Sequence, residues 1–274
     1  MGGRADILEA ILQSTRAELE QRKRLRPLTV PSGDHACAKR GFGQALRAPG
    51  IRIIAEIKRR SPSAGQLRSE VDVGTVASEY QAGGADAISV LTEGPHFGGS
   101  LADLQVVSQA CDLPLLRKDF IVDPYQLYEA QAAGAAAVLL IAAALSAGEL
   151  AFLHAEALSC GLEVLVEAHD ASEVARALEA GAQIVGVNNR DLRDFTVDVE
   201  RTFELRELIP SGVLVVSESG ISSAAQLLRL QEAGVDAVLV GESLMRAPDP
   251  VRALRELRPS DGRGDPRSGS PQAR

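Results

Sequence analysis

QAGGADAISV at residues 81–90, QAAGAAAVLL at 131–140, LEAGAQIVGV at 178–187 and QEAGVDAVLV at 231–240 are four versions of one phrase. Aligned, they superpose Gly84, Gly134, Gly181 and Gly234. Each opens as the end of a helix, passes a C-cap glycine free to adopt positive φ, and continues into a short apolar strand. The glycines are 50, 47 and 53 residues apart, about twice the length of a compact strand-plus-helix unit. A further strand is therefore expected in each interval. Apolar runs lie where it should be, at Leu113–Arg117, Leu162–Val166 and Val213–Ser217, and another precedes them at Ile51–Ile57. Helical patterns over 69–82, 124–133, 147–159, 171–180 and 222–233 separate the strands. Eight parallel strands alternating with helices, with no second cluster left over, predict an α/β chain with a single (β/α)8 TIM barrel rather than an open doubly wound sheet.

The composition agrees with that architecture. Of 274 residues, 45% are hydrophobic and only 3% aromatic, with no Trp, so Ala, Val, Leu and Ile must fill the core. Such a core suits parallel strands buried on both faces. The net charge of −8 argues against a nucleic-acid or acidic-membrane partner, since such binding draws its affinity from basic surface. Cys37, Cys111 and Cys160 show no CxxC spacing, and His35, His96, His154 and His169 no HxH or HExxH spacing. Neither a disulfide framework nor a metal site is expected. The longest apolar stretch, 135–145, is far shorter than the roughly 20 residues of a membrane span. A cytoplasmic protein, monomeric or weakly homo-oligomeric, is the expectation.

Two segments fall outside the repeat. Residues 1–48 read as an N-terminal helical extension of a 49–258 barrel, with a helix over 6–25. Asp6 can cap it with Glu9 three positions on, and Leu8, Ile11, Leu12 and Leu19 form one apolar stripe. Its basic end, Arg22-Lys23-Arg24, is expected to be a solvated terminus favourable to the helix dipole. Residues 259–274, rich in Pro, Gly, Ser and charge, read as a disordered tail.

Active sites of such barrels lie at the C-terminal ends of the strands. The first strand ends Glu56-Ile57-Lys58, and alternation sends Glu56 and Lys58 to the same side and Ile57 toward the helices. Later strand ends carry Arg117-Lys118-Asp119-Phe120, Val166-Glu167, Asn188-Asn189-Arg190 and Ser217-Glu218-Ser219-Gly220. One such charge alone would be an ordinary hydrated loop residue. Two lysines and two glutamates converging on one mouth are different, because burying them is costly unless they are paired or used. They supply the proton donors and acceptors of stepwise carbonyl chemistry, or else a lysine for Schiff-base formation. The loops after strands seven and eight add Ser219-Gly220 and Gly241-Glu242-Ser243, placed where many barrels hold a phosphate. Beside an anion, Glu242 should present its backbone N–H and not its carboxylate. No GxSxG, P-loop or GxGxxG pattern is present, which removes hydrolase-triad and nucleotide readings.

Six motifs together resemble one family: IIAEIKRRSPSAG (53–65), PLLRKDFIVDPYQ (114–126), LVEAHD (165–170), GVNNRDL (186–192), SESGI (217–221) and VGESLM (240–245). They are similar to the indole-3-glycerol phosphate synthases of tryptophan biosynthesis, over about residues 5–255. The resemblance implies a cofactor-free lyase that closes an indole ring from a phosphorylated small-molecule substrate, 1-(2-carboxyphenylamino)-1-deoxyribulose 5-phosphate, releasing CO2 and water. It implies Lys118 as general acid at the ribulose carbonyl and Glu167 as general base in the dehydration. Lys58 would contact the substrate carboxylate, Glu56 and Asn188 would orient these groups, and Arg190 would help to hold the substrate. Ser61, Ser219, Gly220, Gly241 and the backbone of Glu242 would take the phosphate. Phe97 and Phe120 are the natural apolar wall for an aromatic substrate. The loop at 93–100 is a candidate flap. Ala64 and His96 depart from the family, which commonly has a lysine and an aromatic there.

Overall fold

The protein is described by a computed structural model covering residues 7–27, 41–68, 71–191 and 196–258. Asp6, His35, Cys37 and the 259–274 segment lie outside the described residues. Two helices, α1 (Ile7–Leu25) and α2 (Phe42–Leu46), precede the eight strands of the barrel, and Arg60–Ser61 and Gly65–Gln66 form a separate two-stranded antiparallel sheet. The barrel strands are β1 (Arg52–Ile57), β2 (Ala87–Leu91), β3 (Leu115–Lys118), β4 (Ala137–Ile141), β5 (Glu163–Ala168), β6 (Ile184–Asn188), β7 (Leu214–Glu218) and β8 (Ala237–Val240). Each pairs in parallel with the next, and β8 returns to β1 through Arg52↔Ala237 to Ala55↔Val240, closing the barrel. Helices α3 (Val73–Gly83), α4 (Leu101–Ala110), α5 (Pro124–Ala132), α6 (Ala147–Ser159), α7 (Ala171–Glu179), α8 (Glu200–Arg206) and α9 (Ala224–Glu232) follow β1 to β7 in turn. After β8 come α10 (Glu242–Arg246) and α11 (Pro250–Leu257). The single (β/α)8 barrel read from the four phrases is the fold found.

The phrase works as its sequence suggests. Gly84, Gly134, Gly181 and Gly234 have φ of 91°, 87°, 88° and 77°, the left-handed turn that ends each helix and releases the chain into a strand. The leading glutamines do a second job. Gln81 Oε1 accepts from Asp112 N at 2.7 Å, Gln131 Nε2 donates to Cys160 O at 2.6 Å, and Gln231 Oε1 accepts from Ile51 N at 3.1 Å. Each ties its own helix to the loop entering the strand after next. Caps correct two helix starts: α3 begins at Val73 because Asp72 accepts from Gly74 N, and α9 at Ala224 because Ser223 and Gln226 form a capping box.

The core has two aliphatic layers. Ile53, Ala55, Ile57, Val138, Leu140, Val164 and Val166 face the helices, and Ile54, Leu116, Leu139, Leu165, Ile184 and Val216 fill the barrel. Phe42 and Leu46 of α2 join the inner layer, and the Gly43 N–H donates to Glu163 Oε2 at 2.9 Å at the start of β5. The helix therefore plugs the N-terminal end of the barrel. With that end filled, chemistry is left to the opposite rim.

The α1 stripe packs Ile11 and Leu12 into the cluster that holds Phe120, with Leu8 beside it. Its basic end is not a solvated terminus. Arg22 bonds Glu129 Oε2 at 3.0 Å and Lys23 bonds Asp123 Oδ2 at 2.6 Å, because α5 carries both acids on the side that meets α1. Glu129 leads on to the least expected residue of the core. Arg117, on β3 with its side chain turned away from the barrel axis, is 0% exposed. Its guanidinium reaches Asp119 Oδ2 at 2.8 Å, Gln126 O at 2.6 Å, Glu129 Oε2 at 3.3 Å and Thr92 Oγ1 at 3.1 Å. A fixed five-donor fork can satisfy that many acceptors at once. Among the described residues, no helix is long and apolar enough to cross a membrane.

Candidate active site

A cavity of about 420 Å³ opens at the C-terminal ends of the strands. All thirteen residues singled out from the sequence line it: Glu56, Lys58, Ser61, Phe97, Lys118, Phe120, Glu167, Asn188, Arg190, Ser219, Gly220, Gly241 and Glu242. Strand alternation brings them together, each coming from an inward position or the loop just beyond. Lys118 Nζ lies 2.7 Å from Glu167 Oε2 and 3.2 Å from Glu218 Oε2. Asn188 Nδ2 donates to the other Glu167 oxygen at 3.1 Å, and Asn188 Oδ1 accepts from Ser219 Oγ at 2.9 Å. Nearer the rim, Lys58 Nζ bonds Glu56 Oε1 at 2.7 Å.

Glu218 is the residue that sequence reasoning passed over. Its signal was available: two positions after Val216 on β7, it must point inward as Glu167 does on β5. Gly186 makes the room, since a Cβ there would stand 2.2 Å from Glu218 Oε1; Gly241 does the same for Glu56, at 2.5 Å. Burial pushes the Glu218 carboxyl up to about 7, against the pull of Lys118 and with the help of Glu167 and Glu56. Lys118 itself is desolvated, but Glu167, Glu218 and Glu56 together hold its pKa above the usual lysine value. Burial is the largest single influence on the Glu167 carboxylate and pushes it up, but Lys118, His169 and Asn188 together outweigh it, so Glu167 stays below its ordinary range.

The Glu218 shift has a consequence for stability. A carboxyl that holds its proton more tightly folded than unfolded contributes stability below pH about 4.5, and the contribution is lost as pH rises through about 7. Glu218→Gln lacks that loss. Its melting temperature is expected to match wild type most nearly at pH 5 and to gain on it by several degrees at pH 8, from a term on the order of 2–3 kcal/mol. A constant offset across that range in thermal denaturation would count against the shift.

At the loops after β7 and β8 the backbone bends sharply. Ser219 has φ 66°, the one non-glycine in the left-handed region among the described residues, and Gly220 follows at 79°. The Glu242 carboxylate accepts from Arg246 Nε at 3.3 Å. That removes the difficulty of an acid beside an anion site, because its charge is taken up by its own helix. Arg246 Nη2 also reaches Ala64 O at 3.4 Å, which brings a cation to the loop where the family commonly has a lysine. The Ser243 hydroxyl, read from sequence as part of the loop after the eighth strand but given no role of its own, lines the cavity and is buried without a hydrogen-bond partner. Ser61 Oγ accepts from Ala64 N at 3.1 Å.

Phe97 and Phe120 line the mouth as a tilted pair, with ring centroids 6.0 Å apart. The 93–100 loop that carries Phe97 is hydrogen-bonded at several points. Glu93 accepts from His96 N and Phe97 N, each at 2.8 Å, and lies 2.6 Å from His96 Nδ1. Arg60 donates to Pro95 O, and Arg59 bridges Gly98 O to Asp103. A Cβ on Gly99 would meet Leu91 O at 2.2 Å, so backbone lies directly on backbone there.

A barrel with its acids and bases gathered at one mouth, beside two loops shaped for an anion, is an enzyme of the class that acts on phosphorylated small molecules with protein side chains. The comparisons with known proteins specify which. The family model for indole-3-glycerol phosphate synthase matches residues 8–257, and the chain belongs to that family. It is 48% identical over 253 residues to indole-3-glycerol phosphate synthase 2 of Streptomyces coelicolor, covering 92% of this chain and 98% of that one. It is 47% identical over 259 residues to the indole-3-glycerol phosphate synthase of Koribacter versatilis, at 92% and 99% coverage. Among solved structures it resembles 3-hexulose-6-phosphate synthase, with TM-score 0.60, 18% identity and coverage of 76% and 98%. It also resembles the thiamine phosphate pyrophosphorylase of Pyrococcus furiosus, with TM-score 0.57, 20% identity and coverage of 76% and 93%. Those two likenesses bear on the fold alone.

Proposed function

We propose that the mouth of this barrel makes indole-3-glycerol phosphate from 1-(2-carboxyphenylamino)-1-deoxyribulose 5-phosphate, a carboxy-lyase reaction of tryptophan biosynthesis. The observation that carries the reading is the Lys118 ammonium held between Glu167 and Glu218, with an aromatic wall on one side and the anion loops on another. The ring carbon bearing the carboxylate attacks the ribulose carbonyl, whose π electrons pass to oxygen, and Lys118 delivers a proton there. A cation poised at that oxygen stabilises the transition state more than the ground state. The bond to the carboxylate then breaks, its electron pair restores the aromatic ring, and CO2 leaves. In the last step the new hydroxyl departs as water with a proton from Lys58, while Glu167 removes a proton from the neighbouring carbon. Two protons given and one received leave the enzyme one short, which solvent restores. No electrons are exchanged with a cofactor.

The pairing of Lys118 and Glu167 also orders the steps. While Lys118 is charged, Glu167 is a weak base. Once Lys118 has given up its proton, the main influence depressing Glu167 is gone and its basicity rises. Glu56 and Asn188 hold the lysine and the base in place, Lys58 meets the substrate carboxylate, and Arg190 helps to retain it. Ser61, Ser219, Gly220, Gly241 and the Glu242 backbone take the phosphate. Indole fluorescence with the synthetic ribulose phosphate tests the assignment. Glu167→Gln is expected to lower kcat by about 10²–10³-fold, and a near-wild-type rate would remove Glu167 from this role.

We place the enzyme in the cytoplasm, without a nucleic-acid partner, as a monomer or weak homo-oligomer. Among the described residues the large exposed apolar side chains, Leu25, Val106, Phe152, Leu158, Val197, Leu208 and Leu228, are spread over six segments, with only Phe152 and Leu158 sharing a helix, which supports that oligomeric state. Light scattering is expected to give the monomer mass at micromolar concentration. A stable dimer would overturn it.

A further inference from the structure

His169 follows β5 two positions after Glu167, and its ring is built into the wall behind the cavity rather than into its lining. Glu173, one turn into α7, fixes it twice: Glu173 Oε2 accepts from His169 N at 2.8 Å and lies 3.1 Å from His169 Nδ1. Asp170 holds Glu173 in turn by capping α7 at the Glu173 N–H, at 2.9 Å. With Nδ1–H committed to Glu173, Nε2 points inward. It is buried with no hydrogen-bond partner, 3.5 Å from Glu167 Oε1. Two lone pairs facing each other at that distance repel, which favours a proton on Nε2. This is the oxygen that Asn188 also holds, while the other oxygen belongs to Lys118.

We infer that His169 is a positioning residue for Glu167, and that a Glu173–His169–Glu167 relay sets the pH above which Glu167 can accept a proton. This rests on the reading of Glu167 as the base. The groups facing the imidazole are Glu167 on its own strand, Glu173 on α7 and Glu218 on β7, and Lys118 on β3 faces Glu167 from the other side. Burial opposes the imidazolium, but the three carboxylates outweigh it and hold His169 above the ordinary histidine pKa. A cation so close to Oε1 keeps Glu167 ionised at lower pH than it would otherwise be.

The test is the pH profile of kcat in His169→Gln. The acid limb, where Glu167 protonates, is expected to move up by about one pH unit and kcat at its optimum to fall about ten-fold, with KM within two-fold because the ring does not line the cavity. Glu173→Gln is expected to move the limb the same way by less, and serves as the readout if His169→Gln fails to fold. A 15N titration of the His169 ring, assigned by its loss in His169→Gln or by selective labelling, should show a midpoint above 6.5 that falls in Glu167→Gln. An unmoved acid limb with Glu167→Gln inactive would overturn the relay and leave the base assigned. Full activity in Glu167→Gln would overturn the base and the relay with it, while the ring titration would still report whether the two groups share a proton.

Discussion

Lys118→Met is expected to lower kcat by about 10³–10⁴-fold, at the upper end of what one positioned proton donor supplies. Methionine keeps the length of the side chain and removes the cation on which Glu167 and Glu218 converge. Two losses compound. The carbonyl oxygen has no proton donor as charge develops on it, and Glu167 faces Glu218 with nothing between them, so one of the two takes up a proton and is lost as a base. The far-ultraviolet circular dichroism should not change, since the barrel layers below do not depend on the ammonium. Single-turnover indole formation reads the effect, and a loss smaller than ten-fold would shift the acid role to Lys58.

One residue earlier, Arg117→Leu is expected to give the opposite result: a folding defect. Leucine is apolar and fits a core, but it leaves Asp119 without its cation and Glu129 with Arg22 alone, both largely buried. Removing one partner of a buried ionic cluster costs about 3–5 kcal/mol, which lowers the melting temperature of a domain this size by roughly 10 °C. Arg117→Lys would not rescue it, because an ammonium cannot reach Thr92, Asp119, Gln126 and Glu129 together. Thermal denaturation decides the matter, and a shift under 3 °C would mean the cluster relaxes without its centre.

These two neighbours also mark what was legible in the sequence. Strand alternation, the helix-ending glycines and the polar residues after each apolar run are local patterns, and they sufficed to assemble the barrel and gather the mouth. Glu218 obeys the same parity as Val216 and could have been included on that ground alone. Arg117 could not, because its burial depends on Glu129 twelve residues on and on Thr92 from the next strand, partners that no periodicity announces. The basic end of α1 misled for the same reason: its acids lie about 100 residues away on α5. The bonds that hold the 93–100 loop were not legible either, since they come from Arg59 and Arg60 of a different loop.

The bond from the Ile51 N–H to Gln231 joins the last repeat to the first, and the same glutamine position makes the bonds at Asp112 and Cys160 inside the chain. Three of the four phrases carry this fastening, Leu178 standing in its place in the third, and the hoop's one covalent gap is among the joints it bridges. Fraying at the seam then offers no easy route into the rim, and the acids and bases there are held to one geometry by a ring that opens as a whole.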